Sequence, residues 1–501
     1  MQRRWFSLLL LLLLVSWRVE AHVGSPDIYV DGQAGPYRLF VTVRPPAVIP
    51  GVAELEIRSQ DAGIRQLRAV PLPFGGPGAR FAPVPDVLAR SRQDPQFFTG
   101  ALWMMAAGSW QVRVTVDGDR GQGVVAIPVP SAARTTKKMQ AGLGAILSVL
   151  MSFLVLGAVA ITGASVREAQ LPVGVAPDSK HKRRARIAMV IGFAVVLGVL
   201  WYGRSWWNAQ ASSYAQNVYK PLTMTPRLQG DMLALTLTDP GWPPNSGPRL
   251  RTMAPVRTID DLAPDHGHLM HLYMLREPGL DAVYHLHPTR VRGGEFDLKL
   301  PSVPAGNYKL YADIVHENGF PETLVASLSL PDVKGRPLEG DDASGKATAW
   351  SSAPVNVAVS RLPDGYRMRL LGPTGTIRSK QPEMFRFALV DPQGQAPKDM
   401  ALYMGMLGHA AFVKTDGTVF AHIHPTGSVS MTAFMKAQEQ IVNPAGEDMP
   451  GMNHSAETAP ATLPNEVAFP FGLPSGGRYR IFVQMKHGDT VETGVFDVEA
   501  K

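Results

Sequence analysis

Apolar residues along this 501-residue chain follow three rhythms. The first is alternation. YRLFVTVRP, GVAELEIRS and GSWQVRVTVDG, all within residues 22–132, place apolar side chains at every second position, and Val112, Val114 and Val116 share one face. Period-2 runs of this kind predict strands with one buried face, and Gly/Pro clusters such as PFGGPG mark the turns between them. The same rhythm returns over 227–333 and again over 353–501. The polar stretch 335–350 between them reads as a linker.

The second rhythm is unbroken apolarity. Residues 141–164 carry no charge, nor do residues 187–203, and Trp206 and Trp207 extend the latter as an aromatic belt. Each is long enough for a transmembrane helix, here assigned to 141–164 and 187–206. The third rhythm is a short apolar core, 6–17, behind Arg3 and Arg4. It is about half the ~20 residues a bilayer requires. With Val19 and Ala21 before a cleavage point, 1–21 reads as a signal peptide. Arg18 and Glu20 keep an uncleaved anchor as the alternative.

Charge then orients the chain. The segment 165–186 between the two spans carries Lys180, Lys182, Arg183, Arg184 and Arg186. The positive-inside rule makes it a cytoplasmic basic loop and puts both flanking regions outside, in agreement with the signal peptide. The protein is thus expected in a bacterial cytoplasmic membrane, multi-pass, with large exterior domains. The formal net charge of +7 is concentrated in that loop rather than in a stripe interleaved with aromatics, so no nucleic-acid partner is expected. The chain has no cysteine, which excludes disulfides, thiolate metal sites and cysteine catalysis.

The expected fold is mainly β: three immunoglobulin-like β-sandwich domains with a two-helix transmembrane hairpin between the first and second. The second and third regions read as internal repeats. LMHLYMLREPGLDAVYHLHP parallels LGHAAFVKTDGTVFAHIHP, and FDLKLPSVPAGNYKLYADIVHENGFPETL parallels VAFPFGLPSGGRYRIFVQMKHGDTVETG. The third region carries an insertion, 427–465, expected as a mobile loop.

Alignment of the repeats matches four histidines with four. His271, His285, His287 and His316 correspond to His409, His422, His424 and His487. On a strand, positions i and i+2 share a face, so His285 and His287 point together and Leu286 points to the core. His271 precedes them by a hairpin, and three or four imidazoles can meet at one point. That donor set suits copper, zinc or nickel. Met270, Met274, Met404, Met406 and Met485 lie near the histidines, and the insertion adds Met449, Met452 and His454. Thioethers favour Cu(I), so copper is preferred over zinc. His266 and His268 lack counterparts in the second repeat and rank below the eight. Asp313 and Glu317 are candidates to orient His316. His22 would begin the chain after cleavage and offers a terminal amine-and-ring chelate. The competing readings are a histidine network bonded to backbone carbonyls, inherited by both repeats, and methionines that simply fill cores.

The repeats resemble exported YtkA-like and FixH-like β-sandwich proteins, on MHLYMLREPGLDAVYHLHP, PAGNYKLYADIVHENGFPETL and GHAAFVKTDGTVFAHIHP. The first region is similar to the same broad group through GPYRLFVTVRPPAVIPG. CopC-type copper-binding proteins are a more distant likeness; they lack the HxHP pairs and the membrane hairpin. The resemblance implies export, a sandwich fold and metal handling. The expected function is binding, buffering or delivery of a metal ion, with the membrane and an envelope protein as further partners. The alternative is a structural or interaction protein of a membrane complex. No HExxH, GxSxG or phosphate loop occurs, and no enzyme activity is expected.

Overall fold

A computed structural model describes residues 26–75, 82–169, 171–172, 174–242, 257–350, 358–373, 375–442 and 462–501. The predicted signal peptide, His22, Met449, Met452 and His454 lie outside the described residues. The chain is mainly β, with several antiparallel sheets and two long apolar helices. It divides into two units, one of 132–220 with 241–248 and one holding the β regions.

In the helical unit, α1 (Ala141–Glu168) and α2 (Ser179–Gln216) are both long and apolar enough to cross a membrane. Both outrun the predicted spans. The first turns of α2 take in the basic cluster that the sequence reading assigns to a loop, because Lys and Arg lose little side-chain freedom in a helix. Asp178 caps this helix, its Oδ1 accepting from the His181 amide at 2.7 Å. Gly163 of α1 sits against Met189 of α2, where a Cβ would come within 2.5 Å of the sulfur. A small residue is what such a close helix approach needs.

In the β unit, the first region forms a five-stranded and a four-stranded sheet. Val112, Val114 and Val116 are buried together on Gly108–Gly118, as their alternation predicts.

The two repeats are built alike. In the second region a sheet runs β1 (Leu262–Ala263), β4 (Gly306–His316), β2 (His271–Glu277), β3 (Ala282–Leu286) and β6 (Ala343–Lys346), with β5 (Pro321–Leu330) paired to β4. In the third, the order is β7 (Met400–Ala401), β10 (Gly477–His487), β8 (His409–Lys414) and β9 (Phe420–Ile423), with β11 (Thr490–Ala500) paired to β10. The order β1-β4-β2-β3 thus repeats as β7-β10-β8-β9. Registers agree as well: Leu262 faces His316 as Met400 faces His487, and Tyr273 faces His285 as Ala411 faces His422. A further four-stranded sheet accompanies each of these two. The stretch 335–350, read as a linker, instead supplies β6 and extends the first sheet beyond β3.

Alternation now sorts side chains to two destinations. Leu272, Met274, Tyr284 and Leu286 enter the core of their own region. Ala410, Phe412 and Ile423 do the same in the third region. The opposite faces meet each other: Tyr273, Leu275, Val283 and Tyr311 pack on Ala411, Val413, Phe420 and Phe482. Tyr311 and Phe420 stack at 4.2 Å. The insertion contributes a helix, α3 (Met431–Val442). Its first turn is pinned to the second region, where the Thr432 amide donates to Asp265 Oδ1 at 2.8 Å. Further along, Gln438 bonds both backbone groups of Ala126 in the first region.

Candidate metal centre

The inter-repeat face carries apolar residues for part of its length and histidines beyond them. His271, Tyr273 and Leu275 share one face of β2, and His409, Ala411 and Val413 share one face of β8. His285 follows Val283 by two on β3, and His422 follows Phe420 by two on β9. His287 and His424 continue each alternation past the strand end. The same two-residue period that builds the shared core therefore delivers six imidazoles to one end of it.

Two more come from a turn. Asp265 and His268 exchange backbone hydrogen bonds of 2.8 and 3.0 Å across His266 and Gly267, both at positive φ, 51° and 86°. Two left-handed central residues are the mark of a tight hairpin turn, and Gly267 meets that demand at no steric cost. His266 thereby leaves its own repeat and packs on His409 and His424 at 4.9 and 5.0 Å. His268 stacks on His287 at 3.9 Å and bonds Asp341 at 3.1 Å. The third region has the same turn: Tyr403 and Met406 exchange backbone bonds across Met404 and Gly405, also at positive φ. The counterparts of His266 and His268 are therefore Met404 and Met406.

Among the described residues, two triads have ligand atoms mutually within 4.8 Å: His271, His285 and His287, and His266, His409 and His424. In the first, each ring has an acceptor on its outer nitrogen. His271 Nε2 lies 3.0 Å from the Asp265 carbonyl, His285 Nδ1 lies 2.9 Å from Gln484 Oε1, and His287 Nδ1 lies 3.1 Å from Asp342 Oδ1. A neutral imidazole has one N–H; the Asp265 carbonyl and the Asp342 carboxylate draw it to the outer nitrogen of His271 and His287, and Gln484 does so for His285 with its amide oxygen turned to the ring. The inner nitrogens then present lone pairs. His271 Nδ1 and His285 Nε2 face each other at 3.2 Å, and His287 Nε2 is buried without a partner among the described residues. Tetrahedral metal–nitrogen bonds of about 2.0–2.1 Å place neighbouring donors about 3.3 Å apart.

In the second triad, His424 Nδ1 donates to the Val429 carbonyl at 3.0 Å. His424 Nε2, His266 Nε2 and both nitrogens of His409 are buried without partners among the described residues. Such atoms are costly unless something satisfies them. Burial, with the neighbouring imidazoles adding to it, holds His271, His285, His409 and His422 well below the ordinary histidine range. His424 is pushed down to about 4 by burial. These rings are neutral at pH 7, which is the form a metal binds.

The remaining sequence candidates go elsewhere. His316 lies with its Nδ1 2.6 Å from Asp261 and its Nε2 3.2 Å from Glu322, itself paired with buried Arg257. Its counterpart His487 lies between Asp399 and Glu492 and stacks on Tyr366 at 4.1 Å. The reason is parity. Asp313 and Gln484 face the inter-repeat space, and His316 and His487 stand three residues further on, on the other face. Met270 and Met274 pack in the core of the second region and Met485 in that of the third. Asp313 faces His422, not His316, with Oδ2 3.4 Å from Nδ1. Glu317 offers its backbone carbonyl to Lys436. Gln484 and Asp342 escaped the sequence reading. Gln484 was detectable as the aligned counterpart of Asp313.

A family model described as a domain of unknown function (DUF8832) matches residues 237–327 and 360–501, just under half the chain. No curated protein matches the sequence. Among solved structures, similarity is found to Salmonella alpha-2-macroglobulin reacted with methylamine, at 9% identity over 97% of this chain and 24% of that one, TM-score 0.20. It is also found to dimeric latent PorU from Porphyromonas gingivalis, at 8% identity over 96% and 34%, TM-score 0.14. A third is the native conformation of E. coli alpha-2-macroglobulin, at 12% identity over 93% and 26%, TM-score 0.15. The chain spans about a quarter to a third of the length of these three proteins. The family match covers the two regions that carry the histidines.

Proposed function

We propose that this is a membrane-anchored, extracytoplasmic metal-binding protein whose two repeats together hold metal ions, copper in preference to zinc. One observation carries the reading. His271 Nδ1 and His285 Nε2 face each other at 3.2 Å while both outer nitrogens meet carbonyl oxygens. Two lone pairs at that distance repel, and a cation between them turns the repulsion into two bonds. The outer acceptors supply the orientation that ligating histidines ordinarily have.

In this reading α1 and α2 cross the bacterial cytoplasmic membrane with their basic connection inside. The β regions, as three immunoglobulin-like sandwiches of the YtkA/FixH/CopC kind, stand outside. The protein binds, buffers or delivers the ion to an envelope partner and is not an enzyme. Copper is favoured by imidazole donors with Met404 and Met406 at the turn positions equivalent to His266 and His268. The test is metal content of the full-length protein in detergent after titration with Cu(II), Cu(I) and Zn(II). The comparison is the His285→Ala, His287→Ala, His409→Ala, His424→Ala variant. Stoichiometric uptake that the variant loses is the expected result, and a folded wild type that takes up neither metal overturns the reading.

A further inference from the structure

One buried histidine of the cluster remains without a role. His422 is the counterpart of His285, yet the third region's triad does not include it; His266 from the other repeat holds that place. Its Nε2 is buried without a hydrogen-bond partner among the described residues. Its ring lies 4.6 Å from that of His424 and 5.5 Å from each of His271, His285 and His409. Its Nδ1 is 3.4 Å from the carboxylate of Asp313, which belongs to the opposite repeat. A carboxylate on the outer nitrogen is the usual means of aiming a ligating imidazole.

We infer that His422 is a ligand shared between the two triads, which makes them one two-ion centre; the inference rests on the metal-binding reading above. Three imidazoles leave one position of a tetrahedral ion open. The His422 ring neighbours both triads, 4.6 Å from the ring of His424 and 5.5 Å from those of His271 and His285, and one nitrogen lone pair serves one ion at a time. The first ion to bind takes His422 as its fourth ligand, and the second fills that position with water. The two binding steps are therefore unequal, and each ion senses the other through the ring that they compete for.

The experiment is a stepwise Cu(II) titration of the full-length protein in detergent, with a competing chelator to fix each affinity and EPR at each step. The wild type is expected to bind two equivalents, the first with one more nitrogen ligand than the second. His422→Gln lowers the first-step affinity about tenfold or more and leaves the second step unchanged. Asp313→Asn leaves the ring in place and weakens the same step, so it reports even where His422→Gln does not fold. Two equivalents with an unchanged first step in the folded variants, or equal nitrogen counts for the two ions in the wild type, overturn the shared ligand and leave metal binding standing. No uptake by the wild type overturns both.

Discussion

His285 of the second region and Gln484 of the third are joined by a 2.9 Å contact between Nδ1 and Oε1. Its mirror is the 3.4 Å contact between His422 Nδ1 of the third region and Asp313 Oδ2 of the second. Each repeat thus orients the other's histidine, and the triad of His266, His409 and His424 takes its members from both repeats.

Removal of the acceptor tests this dependence. Gln484→Leu removes the nearer partner of His285 Nδ1 and leaves it only the Tyr403 hydroxyl, 3.3 Å away. It is expected to lower metal affinity about tenfold, as loss of an orienting contact does elsewhere. Competitive chelator titration reads the change, and unaltered affinity would separate the contact from the site.

Docking itself is tested at Phe420, which stacks on Tyr311 and is buried between the repeats. Phe420→Ala opens a cavity at a cost of about 3–5 kcal/mol. Lower thermal stability together with weakened uptake by both triads is expected. Loss of stability with full uptake would show that each repeat holds its ions alone.

His316 and His487 give the opposite outcome. His316→Ala leaves Glu322 and Asp261 short of a buried partner, at about 1–3 kcal/mol. Both His316→Ala and His487→Ala are expected to keep full metal stoichiometry. A lost equivalent in either would restore that residue to the ligand set.

Acid acts on the metal-free protein with a definite sign. His424 titrates near 4 when folded and at an ordinary 6.5 when unfolded. Between those values the unfolded chain binds more protons. The contribution is complete above pH 6.5 and is lost as pH falls toward 4. His271, His285, His409 and His422 act in the same direction. Asp313 opposes them: burial raises it from 3.8 to about 7, so its contribution fades as pH rises through 7. Thermal midpoints of the metal-free protein are expected to fall from pH 6.5 to pH 4, and His424→Gln is expected to flatten that slope.

The chain has no cysteine, so a single introduced one is a clean probe of topology. Lys182→Cys, in the basic start of α2, is expected to react with an impermeant thiol reagent only after the membrane is opened. Thr99→Cys in the first β region should react without opening. Equal reactivity of the two in intact cells would refute the proposed orientation.

The alternating runs, the two apolar helices, the internal repeat and the pairing of four histidines with four were all readable along the chain. Each depends on a local period, and a strand or helix imposes its period wherever it lies. Parity also puts His316 and His487 on the face opposite Asp313 and Gln484, since three residues along a strand reverse the face. Which faces meet was decided only in three dimensions. His266 reaches His409 and His424 because a tight turn carries it out of register with β2 and across to the other repeat. Asp342 reaches His287 because the stretch before β6 returns beside β3. These contacts join residues far apart in sequence, through packing between sheets that no single strand's pattern encodes. The sequence set the direction of each strand-borne imidazole, and the docking of one repeat on the other gathered the histidines into one cluster.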